Sequence, residues 1–387
     1  MTTGRAGLAA CALFLVACAL GYGGLLSHAY PGDTATYSAY GRALVDDGRV
    51  PYADFYDEYP PGSVPVFAAP AVIWDAHYVL VFKLLMAACG LGCVACTAWL
   101  ARRLRLSPLR LAPAVLVPLA LGPVFLNRYD PLPALLTSLA LVALLRARGG
   151  ATGALLGVAT AVKVYSAVAA PLAARRLRGS PGPAASFVAA VAILVLPFFA
   201  LAPGGVGFSF WTQAKRHLQI ETLGSSLLLA ASKLGVHRVD WIAGKPGSID
   251  LGGATADVVA TLSSLLALAL VVRVAVAYWR GPDTDERLVT AWAAAVAAWT
   301  VFGKVLSPQY LTWLVPLVPL AAGRRGLNAT CLLLAALVLT QAEYFLGNHG
   351  LRDQNWTVWV LLARNALLAG MFVLVYRELR EGEGAPA

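Results

Sequence analysis

The sequence predicts an all-α polytopic membrane protein, a bundle of about 10–12 transmembrane helices. Three observations carry this. Of 387 residues, 59% are hydrophobic and 13% charged, whereas soluble domains carry roughly 25% charged residues. Several apolar runs reach the ~20 residues that a hydrocarbon core requires. The runs are continuous rather than alternating, which excludes a β-barrel. The formal charge of +10 then reads as basic loops on the cytoplasmic side, and no nucleic-acid partner is implied.

The spans fall at about 7–27, 78–101, 109–126, 131–146, 151–161, 164–174, 184–203, 254–279, 287–305, 308–322, 327–346 and 355–376. Arg5 followed by Leu8–Leu20, with Leu15-Val16-Ala17-Cys18, resembles a signal peptide. An uncleaved first helix is expected, because the apolar run continues to Leu26 and the charge sorting needs that crossing. The fifth and sixth segments have 11 residues each, about 16 Å of helix and half the hydrocarbon core. As a short broken pair meeting near Lys163, they return Arg175, Arg176 and Arg178 to the cytoplasm. A single crossing would strand those arginines outside. A broken helix is tolerated where the break faces protein or a polar cavity.

With both termini cytoplasmic, 17 cations and six acids lie inside, against 11 cations and 14 acids outside, as the positive-inside rule expects. Loops 28–77 and 204–253 face outside, with short turns at Asn127–Asp130, Lys304–Pro308 and Gly347–Gln354. No internal repeat or linker divides the chain, so 1–387 reads as one domain with the two long loops forming its active face. In the first loop, Tyr37, Tyr40 and Leu44 have helical spacing over Thr34–Asp47, with Asp33 placed as an N-cap and Gly48 as the stop. Val64–Trp74 is apolar but too short to span, and reads as an interfacial helix.

All six cysteines fall in apolar segments. Cys89, Cys93 and Cys96 share a helical face without a His or acid, which suits packing rather than metal. Gly32–Gly62 carries six acids and five tyrosines. Acids are numerous enough there for a divalent metal, but no ligand spacing argues for one, and no cofactor is expected. There is no Walker A motif and no dinucleotide fingerprint.

Polar groups gather instead at the outer helix ends: Asp33, Arg128, Asp130, Lys163, Lys215, Arg216, Gln219, Glu221, Lys304, Gln309 and His349. Charge in or against a bilayer is costly and points to function. Each also has a plain structural reading. Arg128 and Asp130 suit a mutual ion pair, Arg216 and Glu221 suit a solvated loop, and His349 stands alone. Lys163 interrupts an apolar run, so a partner must offset an insertion penalty of about 2.5–3.5 kcal/mol. Cations facing carboxylates suggest a phosphate-bearing substrate that needs a base. Since this face is turned from the cytoplasm, a sugar donor must reach it as a lipid, which favours a polyprenyl-phosphate carrier.

Four segments, in order, resemble the GT-C membrane glycosyltransferases, and within them glycosyltransferase family 87, which includes polyprenol-phosphate-mannose-dependent α-mannosyltransferases. They are Asp33–Pro61 with its GRVPY…YPP stretch, Lys163–Leu172 (KVYSAVAAPL), Trp211–Leu229 (WTQAKRHLQIETLGSSLLL) and Gly303–Leu320 (GKVLSPQYLTWLVPLVPL). Ser166 stands where such proteins often carry proline after Lys-x-Tyr.

The resemblance implies an inverting transferase with Asp33 as general base. One carboxylate suffices, because the leaving phosphate is already anionic and needs no general acid. Arg128, Lys163, Arg216 and Lys304 are then candidates for holding the donor phosphate. Tyr37, Tyr52, Asp54, Glu58, Tyr59, Asp130, Gln219, Glu221, Gln309 and His349 are candidates for the sugar or acceptor; the tyrosines also suit interface anchoring. The donor expected is a polyprenyl-phosphate hexose, with mannose the family's example, and the acceptor a glycolipid or cell-envelope glycan. The expected location is the outer face of a bacterial plasma membrane. The alternatives are a GT-C transferase acting on protein, and a lipid-linked-sugar transporter or flippase, for which repeat symmetry and midplane polar groups would be expected.

Overall fold

The computed structural model describes residues 3–27, 33–243, 249–352 and 355–381, the side chains of 3–4, 243, 343–350 and 352 excepted. The first part of the chain forms α1 (Thr3–Leu20), α2 (Asp33–Val45), α3 (Val64–Trp74), α4 (Tyr78–Arg103), α5 (Ala112–Leu121), α6 (Pro123–Leu126), α7 (Pro131–Leu145), α8 (Gly149–Val162), α9 (Ala170–Arg176) and α10 (Gly182–Leu201). There follow α11 (Pro203–Ala214), β1 (Leu218–Gln219), α12 (Leu223–Lys233), β2 (Asp240–Ala243), β3 (Ile249–Gly252), α13 (Gly253–Arg280), α14 (Asp285–Phe302), α15 (Leu311–Leu314), α16 (Gly323–Arg352) and α17 (Thr357–Glu381).

Among the described residues, five helical stretches are long and apolar enough to cross a membrane: Pro61–Arg103, Gly182–Leu201, Gly253–Arg280, Gly323–Ala342 and Thr357–Glu381. Four shorter apolar helices accompany them, at Arg5–Leu20, Pro108–Leu121, Pro131–Leu145 and Gly149–Val162. The chain is an all-α multi-pass membrane protein. Near its centre runs α14, whose residues from Arg287 to Ala298 are all buried, with Trp292 fully enclosed.

Several boundaries differ from those the sequence predicts. α1 stops at Leu20, and 21–27 fold into turns that Lys83 holds by donating to the carbonyls of Gly24 (3.0 Å) and Ser27 (2.9 Å). The expected 109–126 span breaks at Gly122, whose φ is +50°. The expected 308–322 span is not one helix: a 3-10 turn at Pro308–Tyr310 leads into α15 and then another at Val318–Leu320. Pro316 and Pro319 supply no N–H to a helix ladder, and the segment is buried in protein, where irregular backbone is tolerated. The second loop holds two helices and a three-stranded antiparallel sheet of order β1-β3-β2.

The break near Lys163 is present. α8 ends at Val162, Lys163 is extended (φ −156°, ψ 116°), and a 3-10 turn passes into α9. α9 returns the chain to the end where α8 began. There Arg103 and Arg176 both pair with Asp285, and Arg176 also with Asp283. α8 and α10 run parallel along a glycine seam. A Cβ at Gly153 would lie 2.0 Å from the Pro183 carbonyl oxygen, and one at Gly157 2.5 Å from that of Phe187. Small residues allow such close helix approach where the hydrophobic effect gives no driving force. Otherwise α10 is outward-facing, with only Ala190 buried.

Candidate active site

The first loop is folded rather than slack. α2 begins at Asp33 and ends before Gly48, whose φ of +65° suits glycine. Thr34 Oγ1 donates to the Asn127 carbonyl (3.1 Å), tying the start of α2 to the α6–α7 turn. On that turn Arg128 makes an ion pair with Asp33. Tyr37, fully buried, stacks on Phe67 (4.5 Å) and meets Tyr59 and Tyr129 edge-on. Burial holds the Tyr37 and Tyr59 phenols well above their usual range, so both stay neutral. Asp57 is fully buried beside them. One of its oxygens accepts from the Tyr59 N–H (2.9 Å), while Oδ2 has no hydrogen-bond partner. Burial pushes its carboxyl up to about 7.

Lys163 projects from the break after α8. Its ammonium lies 2.8 Å from Asp130 Oδ1, which also accepts from Trp313 Nε1 (2.9 Å). Tyr129, Tyr310 and Trp313 surround the ammonium at 4.4, 4.9 and 5.2 Å from their ring centres. Trp313 is itself sandwiched, 3.8 Å from Tyr165 and 4.1 Å from Tyr310. The expected Arg128–Asp130 pair is therefore not made. Arg128 turns to Asp33, and Asp130 turns inward to Lys163.

The second loop closes over the first. Gln213 Nε2 donates to the Glu58 carbonyl (3.0 Å), and Tyr56 and Thr212 hydroxyls lie 2.9 Å apart. Beyond α14, Lys304 Nζ donates to the Ala214 carbonyl (2.6 Å). Burial, together with the nearby Arg216 and Lys215 charges, lowers the Lys304 ammonium below the usual lysine range. Lys304 O in turn accepts from the N–H of Gln219 (3.0 Å), the second residue of β1.

These elements enclose a cavity of about 1010 Å³. Asp33, Arg128, Lys163, Arg216 and Lys304 all line it. So do Tyr37, Glu58, Tyr59, Gln219, Glu221 and Gln309. Asp130 sits behind Lys163. Tyr52 points elsewhere, packing on Phe198 (5.6 Å) and donating to the Tyr59 carbonyl (2.6 Å). Asp54 closes a loop turn by accepting from Val50 N (2.7 Å). The side chain of His349 lies outside the described residues. Glu221 is not a solvated loop acid: it is 4% exposed. Sequence reasoning passed over Asp250, Trp211, Tyr310 and Trp313 as cavity residues; the last three stand in segments that carried the family resemblance.

Residues 56–308 match the sequence model of Glycosyltransferase family 87. This chain belongs to that family. It is a membrane glycosyltransferase, and its sugar donor and acceptor meet in or at a lipid bilayer. No curated protein matches it. The part matched to family 87 contains Arg128, Lys163, Arg216 and Lys304, while Asp33 precedes it. Among the described residues, no group of three or more His, Cys, Asp or Glu is placed to hold a metal ion in this family 87 transferase.

Proposed function

We propose that the protein transfers a hexose, mannose being the expected sugar, from a polyprenyl-phosphate donor to a glycolipid or cell-envelope glycan, with inversion, on the outer face of a bacterial plasma membrane. The whole chain acts as one catalytic unit, with loops 28–77 and 204–253 as its active face. The observation that carries this reading is that Asp33 and four cations, Arg128, Lys163, Arg216 and Lys304, line one cavity. A carboxylate beside several cations suits a reaction that needs a base and releases a phosphate.

In this mechanism Asp33 takes the proton of the acceptor hydroxyl as its oxygen attacks the anomeric carbon. The bond from that carbon to the phosphate oxygen breaks, and polyprenyl phosphate leaves with both electrons. The cations stabilise the charge gathering on that oxygen. Arg128 is shared: the incoming phosphate competes with Asp33 for the guanidinium and leaves the carboxylate facing the acceptor.

The test supplies labelled polyprenyl-phosphate mannose to membranes holding wild type or Asp33→Asn. Loss of a general base lowers transfer by roughly 10²–10⁴-fold. Equal labelling in both would overturn the base assignment. Labelled lipid crossing the bilayer without transfer would point to a flippase. For sidedness, Ala35→Cys should react with an impermeant thiol reagent added outside, and Arg325→Cys should not; the opposite pattern inverts the topology.

A further inference from the structure

The cations leave one wall of the cavity unexplained. In the register of β1 and β3, Leu218 faces Leu251 and Gln219 faces Asp250. Opposed residues of an antiparallel pair share a face, and neighbours along a strand alternate. Leu218 and Leu251 accordingly enter an apolar cluster with Leu229 and Leu361. Gln219 and Asp250 line the cavity, and Glu221, two residues beyond Gln219, joins them. All three are almost fully enclosed, at 6%, 5% and 4% exposure.

The trio presents hydrogen-bond acceptors. Gln219 directs Nε2 toward Glu221 (3.4 Å), and its Oε1 is buried with no partner. The carboxylate oxygens of Glu221 and Asp250, both already engaged in the structure, can accept further hydrogen bonds. A buried acceptor left unmatched, as Gln219 Oε1 is, is costly. It is therefore an unusual feature unless a ligand brings the donor. The backbone beneath is fixed. Asn365 Nδ2 donates to the carbonyls of Glu221 (3.2 Å) and Thr222 (3.0 Å), and Arg364 also donates to that of Glu221. Thr222 and Ser225 hydroxyls donate to the Gln219 carbonyl at 2.8 and 2.7 Å. A wall held this way needs little ordering when it binds.

We propose that Gln219, Glu221 and Asp250 form a carbohydrate subsite that accepts hydrogen bonds from sugar hydroxyl groups. The ligand is a pyranose, belonging to either the donor or the acceptor. The subsite rests on the proposed function only for what carries that sugar.

The full chain in lipid nanodiscs is titrated calorimetrically with citronellyl phosphate, citronellyl-phosphate mannose and octyl α-mannoside. Wild type is compared with the near-isosteric variants Glu221→Gln and Asp250→Asn, and with Gln219→Leu, all checked for unchanged thermal unfolding. If the trio holds the donor sugar, the variants lose at least tenfold in affinity for citronellyl-phosphate mannose and nothing for citronellyl phosphate. If it holds the acceptor sugar, the tenfold loss falls on octyl α-mannoside instead. Affinities unchanged for both mannosides, or no mannoside binding by wild type, overturn the subsite. Failure of citronellyl phosphate to bind wild type overturns the lipid-phosphate donor instead, and octyl α-mannoside still judges the trio.

Discussion

Lys163 Nζ and Asp130 Oδ1 lie 2.8 Å apart, at a point where one helix has ended and another is about to begin. The carboxylate is almost wholly enclosed, and Trp313 donates to the same oxygen. This pair supplies the partner that a cation interrupting an apolar run requires. Removing one member of a buried pair costs about 3–5 kcal/mol, whereas replacing both by uncharged groups costs far less. Asp130→Asn should lower stability by that order in detergent micelles, followed by thermal unfolding. Asp130→Asn combined with Lys163→Met should recover most of the stability but not transferase activity. A double variant no more stable than the single one would show that the charges do not act as a pair.

Asp57 gives a pH dependence of stability. Its folded-state carboxyl is raised to about 7 by burial, above its ordinary unfolded value near 4. Between these values the folded state binds more protons than the unfolded one, so stability falls as pH rises through that window. The loss reaches the order of 3–4 kcal/mol above pH 7. Asp57→Asn should raise the unfolding temperature at pH 8 and leave it little changed at pH 4.5. A gain of equal size at both pH values would show that the carboxyl does not titrate in that range.

Lys304 bears on anion binding. Burial, and then Arg216 and Lys215, lower its proton affinity. Its charge is therefore lost at a lower pH than that of an exposed lysine. Affinity for citronellyl phosphate should fall as pH rises through that lowered value. Lys304→Arg should hold the affinity to higher pH, since a guanidinium stays protonated. Titrations between pH 6 and 10 read this directly, and superimposable wild-type and Lys304→Arg profiles would remove Lys304 from the proposed phosphate site.

Two glycines of α8 should behave oppositely. A Cβ at Gly153 would meet the Pro183 carbonyl oxygen at 2.0 Å, whereas one at Gly150 meets nothing within 4 Å. Gly153→Leu should deplete the folded protein recovered from membranes. Gly150→Ala should fold normally and gain a few tenths of a kcal/mol up to about 1 kcal/mol from helix propensity. Size-exclusion profiles and unfolding temperatures compare them, and equal tolerance of both changes would contradict the seam.

Local chemistry made much of the first loop legible. Gly48 marked the end of α2, although Asp33 is the helix's first residue rather than the cap before it, and an apolar stretch too short to span marked α3 at Val64–Trp74. Lys163 was legible because a cation in hydrocarbon demands an explanation. Its partner was not, since Asp130 is a neighbour of Arg128 in sequence and both pair with residues far along the chain. β1 has two residues, β2 and β3 four each, too few to impose a recognisable period. Asp250 enters the cavity only through that long-range register. The 308–322 segment read as a span because its composition is apolar, whereas its prolines dictate the backbone.

The seam beneath α10 also bears on how this protein can change over generations. α11 walls the cavity, and α10, which leads into it, is set in place by backbone meeting backbone across glycines. The outward face of α10, with Val188, Ile193 and Leu196 exposed, is under no such constraint. Sequence drift there can adapt the protein to a different lipid environment without moving that wall of the cavity.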